Sequence, residues 1–168
     1  KKEQFGGSGS GHNLTSNQVR LVQSSWRMLQ QDDQTGPVIF RAFFDMEPIA
    51  LEQFQLHNVR DLYNSYELKR SVGKVFKALG HIINTVDNWE SLSPLIRKLG
   101  ALHNTKGVTL PQYASFGKAI VMGAEEILGD AMTSETRRAW TEFYRVLSDA
   151  LKKEQFGGSG SGHNLTSN

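Results

Sequence analysis

His103 stands where an imidazole could hold a metal. It follows directly on Leu92, Leu95, Ile96, Leu99 and Leu102, which recur at three- and four-residue steps along one face of a helix. The ring therefore points close to the buried side. A neutral imidazole there offers either a lone pair to a metal ion or a hydrogen bond to a core partner, and this segment by itself fits both readings. The other histidines are placed less favourably. His12 and His163 sit beside Gly/Ser runs, His57 lies in a polar stretch, and His81 reads as a surface residue far along a long helix. There is no cysteine, so thiolate ligands and disulfides are excluded.

Six to eight helices must position that ring. Thr15-Ser16-Asn17-Gln18 has the form of a capping box, and Val19, Val22, Trp26 and Leu29 follow it, predicting a helix from about Ser16 to Gln31. Asp32-Asp33 breaks it. Gly36-Pro37 opens a second helix carrying Val38, Ile39, Ala42, Phe43 and Met46. Gly36 serves either as a plain helix start or as a point where another backbone passes close. A short segment runs from Glu47-Pro48 to Phe54. The polar stretch Gln55 to Tyr66 reads as loop with one helical turn.

Leu68, Val72, Val75, Phe76, Leu79, Ile82, Ile83 and Val86 then mark a long helix stopped by Asp87-Asn88. Ser93-Pro94 reads as an N-cap with proline at the first position of the His103 helix, and Gly107-Val108 closes it a turn later. Thr109 to Leu128 is a further helix, with Tyr113, Phe116, Ile120, Val121 and Ile127 inward, ended by Gly129-Asp130. Thr133-Ser134 caps the last, whose stripe is Ala139, Trp140, Phe143, Tyr144, Val146, Leu147 and Leu151. Strand signals are absent, so the fold class is all-α.

The formal net charge of +2, with both signs interspersed, gives no basic stripe for nucleic acid. No apolar run approaches the roughly 18 residues of a membrane span, and no charged-then-apolar signal segment opens the chain. The ends carry a different signal: Lys1 to Asn17 recurs letter for letter as Lys152 to Asn168, an offset of 151 positions (152 minus 1). Each copy contains Gly-Gly-Ser-Gly-Ser-Gly, a flexible-coil composition. Residues 1–13 read as the end of a preceding repeat plus linker, 14–151 as the domain, and 152–168 as linker and start of the next repeat. A natural tandem array fits this pattern, as does an engineered concatemer or a circular permutation. Asn13-Leu14-Thr15 is an N-glycosylation acceptor pattern, which favours an extracellular place for a natural array and leaves a cytoplasmic one otherwise.

Over roughly Leu14 to Leu151 the chain resembles a globin, most nearly the neuroglobin-like branch. The likeness rests on Phe54 six residues past Pro48, on Leu68 to Leu79 as a distal helix, on Leu99-Gly100-Ala101-Leu102-His103 as a proximal helix end, and on Trp140-Thr141-Glu142-Phe143-Tyr144 in the last helix. The resemblance implies haem b (iron protoporphyrin IX), with His103 as the protein ligand to its iron. It places the haem against Phe54, between Val75 on one face and Leu99 on the other, with Leu102 beside the ligand. Phe40 would lie over the distal side, and Val108, Tyr113, Phe116 and Val121 would supply the remaining wall. The chain departs from the family at Ser71, where a distal histidine is usual. A serine hydroxyl is short and does not ligate iron as imidazole does.

The implied function is reversible binding of a diatomic gas (O2, CO or NO) as a carrier or store, in a chain of identical repeats. Two alternatives are a haem enzyme with peroxidase or nitric-oxide-converting activity, and a structural bead whose haem is incidental. The enzymatic reading lacks a distal His or Arg constellation for cleaving O–O bonds.

Overall fold

The computed structural model describes residues 12–157, and these form seven α-helices joined by short turns. They are α1 (Ser16–Gln30), α2 (Thr35–Met46), α3 (Ala50–Gln53), α4 (Tyr66–Asn84), α5 (Ser93–Lys106), α6 (Leu110–Leu128) and α7 (Ser134–Lys152). Residues 1–11 and 158–168, and with them the Gly/Ser linkers and His163, lie outside the described residues. No described helix is long and apolar enough to cross a membrane.

Helix starts follow from local side-chain chemistry. Thr15 accepts from the Gln18 amide while the Gln18 side chain accepts from the Thr15 amide, each at 3.0 Å, so both free donors at the start of α1 are satisfied. Thr109 and Gln112 repeat the arrangement at α6, with Pro111 in its first turn. Ser65 and Thr133 cap α4 and α7. Ser93 does not act as expected. A 3-10 turn over Val86–Leu92 feeds α5 already coiled, so Ser93 is itself helical and Leu92 occupies the cap position. The turn breaks at Asn88, close to the predicted stop.

Two close pairings, α1 with α7 and α2 with α6, build the centre. Trp26, Trp140, Phe40 and Phe143 are its largest fully buried side chains. The Trp140 indole donates to Ser25 Oγ at 2.8 Å, which satisfies a polar group that burial would otherwise penalise. Helix α4 crosses α2 at Gly36. A Cβ there would come within 2.4 Å of Val72 Cγ1, so the close neighbour that requires glycine is a side chain rather than a backbone.

Three expectations change. Leu102 is 47 % exposed. Ile96 and Gly100 are buried and His103 is turned inward. Leu102 precedes His103 by one residue, about 100° around the helix, and so faces out. His12, expected in a linker, is buried edge-on against Trp89 at 5.8 Å. Finally, α7 continues past Leu151 to Lys152, and a π-helical turn carries the chain through Lys153–Gly157 against α5. Leu151 is the last residue but one of that helix.

Candidate functional site

The imidazole of His103 is held from one side only. Its Nδ1 lies 2.9 Å from the Tyr113 hydroxyl, which donates to Gln155 Oε1 at 2.6 Å. Gln155 Nε2 in turn donates to the Val108 carbonyl at 2.7 Å. That last bond fixes the amide, because of its two ends only the nitrogen can donate to a carbonyl, so Oε1 must face Tyr113. Burial pushes the Tyr113 hydroxyl up to about 12, so at neutral pH it keeps its single proton and gives it to Gln155. Towards His103 the phenol oxygen is then an acceptor, and Nδ1 carries the hydrogen. Nε2 is left with the lone pair, and no hydrogen bond engages it among the described residues.

Burial also lowers the His103 pKa below its ordinary value, which keeps the ring neutral as a ligand must be. The backbone around the ring is fixed as well. Gly107, at φ 75°, ends α5 in the left-handed conformation, and the amides of Gly107 and Val108 donate to the Asn104 and His103 carbonyls. Buried Gln112 donates to Gln53 Oε1 at 2.6 Å, and Gln53 donates to the Gly107 carbonyl at 3.1 Å, tying this corner to the segment that ends in Phe54. Tyr144 donates to the Tyr113 carbonyl at 2.6 Å.

The facing helix carries little polarity. Ser71 and Val75 are four residues apart on α4, both half-buried, and Ser71 makes no hydrogen bond among the described residues. Its neighbours Lys69 and Arg70 are exposed. Helices α4 and α5 are not among the closely packed pairs. Phe54, Val75, Leu99, Val108, Phe116 and Val121 all pack against the core and are each half-buried. Phe40 lies behind them, fully buried. It meets Phe54 edge-on at 5.6 Å and Phe116 at 5.8 Å, with Phe76 at 6.4 Å.

The structure therefore brings His103, Tyr113 and Val108 into one hydrogen-bonded group, and Phe40, Phe54 and Phe116 into one aromatic cluster. Leu102 joins neither. Sequence reasoning missed Gln53, Phe76, Gln112 and Gln155. For Gln155 a signal existed, since Leu147, Leu151 and Gln155 continue the four-residue steps of α7. Its membership of the repeated segment had placed it in the linker.

Likenesses to known proteins bear on this arrangement. A family model described as Globin matches residues 38–151. Neuroglobin of Dissostichus mawsoni is 26% identical over 145 residues, covering 83% of this chain and 91% of that protein, and neuroglobin of Tetraodon nigroviridis gives the same figures. Cytoglobin-1 of Oryzias latipes is 24% identical over 148 residues, covering 83% and 82%.

Proposed function

We propose that this chain, which belongs to the globin family, binds haem b through His103 and uses it to hold a diatomic gas reversibly, as a carrier or store. The observation that carries the reading is the hydrogen-bonded orientation of His103, which leaves Nε2 as a neutral lone pair on a half-buried ring. Among the described residues no cluster of three or more His, Asp or Glu could hold a bare metal ion. A single imidazole suits a metal that arrives with most of its ligands already supplied, as iron does in a porphyrin. The bound group would supply an iron with one open position for the gas.

The chain's own residues do the rest. His103 binds the iron, Leu99 and Val75 border the two faces, Phe54 offers a ring to stack on, and Phe40, Phe116 and Val121 exclude water from behind. Ser71, standing where a distal imidazole is usual, leaves the gas side without a strong donor or a second ligand. Binding is favoured over peroxidase or nitric-oxide conversion for the same reason, because no acid–base pair faces the open position. The recurrence of Lys1 to Asn17 supports placing the chain as one unit of a head-to-tail array. Absorption spectra of the purified protein, reduced and then exposed to carbon monoxide, test the reading. A five-coordinate ferrous spectrum that shifts with carbon monoxide is expected, and a protein that takes up no haem would overturn it.

A further inference from the structure

We infer that Gln155, carried on the terminal turn Lys153–Gly157, is a positioning residue for His103: acting through Tyr113, it selects the imidazole tautomer that leaves Nε2 free, and the turn acts as a strap across α5 that keeps it in place. The inference rests on His103 being the iron ligand, and it concerns residues that the gas-binding reading does not require. Tyr113 alone does not determine the tautomer. A phenol hydroxyl both donates and accepts, and without another acceptor it would donate to Nδ1 and drive the ring hydrogen to Nε2, the wrong end for a ligand. Gln155 removes that option by taking the Tyr113 proton at 2.6 Å. Its own orientation is fixed by the Val108 carbonyl at 2.7 Å, five residues past His103.

The strap seats at one place. Gly100 is buried, and a Cβ there would come within 2.6 Å of Glu154 Cβ and 3.3 Å of the Gln155 amide nitrogen. Only a glycine lets the turn lie this close to α5, one helical turn before His103. Gln155 therefore reaches Tyr113 only if residue 100 is small. The ring of Tyr113 is approached from the same segment by the Lys152 ammonium, 6.0 Å from its centroid.

Full-length chain carrying Gln155→Leu, Gln155→Glu or Gly100→Leu tests the inference in haem-free and haem-loaded forms. Long-range nitrogen–proton NMR of the haem-free protein reads the His103 tautomer directly. The unmutated chain should carry the hydrogen on Nδ1, and so should Gln155→Glu, which keeps an acceptor for Tyr113 while giving up the donor to the Val108 carbonyl. Gln155→Leu and Gly100→Leu should move it to Nε2 or to a mixture. In the loaded protein the same two variants should lose haem about 10–100-fold more readily, the usual cost of removing an outer partner of a metal-binding histidine. Their iron–histidine stretching frequency should fall as the imidazole becomes less basic.

An unchanged tautomer and unchanged haem retention in a folded Gln155→Leu protein would overturn the inference. If that variant does not fold, Tyr113→Phe serves instead, since it removes the only hydrogen-bond partner of Nδ1 among the described residues, and an unchanged tautomer there would overturn it equally. A tautomer change in Gln155→Leu together with an unaltered haem spectrum in His103→Ala would leave the positioning role standing and discard the iron-ligand assignment.

Discussion

Helices α4 and α5 carry the two halves of the candidate site, and they are built on opposite plans. On α5 the inward ring is held by a chain of three hydrogen bonds that ends on backbone, with a second clamp through Gln53 and Gln112 at the following corner. On α4 the candidate residues Ser71 and Val75 are half-buried and no described side-chain hydrogen bond fixes them, and the helix is located by packing, with Val72 against Gly36. A ligand to a metal must present one atom in one protonation state, which requires directional bonds. A face that admits a small apolar gas needs only space and the exclusion of water. The contrast separates the half of the site that holds from the half that admits.

Removing His103 should have the largest effect. His103→Ala deletes the proposed ligand of the holding half, and haem retention followed by absorbance should fall to the level of nonspecific binding. The packing of the admitting half is next. Gly36→Ala forces a Cβ against Val72, and overpacking of this kind costs about 1–3 kcal/mol. Denaturant unfolding should show a lower midpoint with an unchanged slope. Ser71→His would make the two halves more alike by adding a directional group to α4. A hydrogen bond to a polarised ligand is worth about 1.5 kcal/mol or more, so oxygen release in stopped flow should slow roughly tenfold or more. Carbon monoxide, being less polar, should change far less.

The smallest expected effect is a pH dependence. Burial raises Tyr113 to about 12 from an ordinary 10.0 and raises Tyr144 as well. Groups raised in this way bind protons more tightly folded than unfolded. Their contribution to stability is complete below pH 10 and is lost as the pH climbs towards 12. The melting temperature should therefore fall over that range, and Tyr113→Phe should weaken the fall.

Much of this was legible in the chain itself because it is local. The capping box at Thr15 and Gln18, the proline near the start of α6 and the glycine at the end of α5 each act within four residues, and each lies where the sequence placed it. The apolar steps of α4 and α7 likewise turn inward as read. What escaped depends on partners far apart. Tyr113 and Gln155 are 42 positions apart, and their bond goes with a widening of the chain from an α-helix into a π turn after Lys152. Leu102 was misplaced because a stripe drawn from every leucine is wider than the face that α5 buries. His12 looked like linker since nothing around it in sequence shows that Trp89 will cover it.

The turn that ends at Gly157 also changes how far apart neighbouring units of an array could stand. Between Gly157 and the histidine of the second copy the sequence places only Gly158-Ser159-Gly160-Ser161-Gly162. Six residue steps from Gly157 to His163 reach at most about 20 Å when fully drawn out. A domain of this size has a radius of gyration of roughly 15 Å, so such a tether is shorter than the domain is wide. In the proposed head-to-tail array, a spacer of that length would bring a neighbouring unit close to the terminal turn of the one before it.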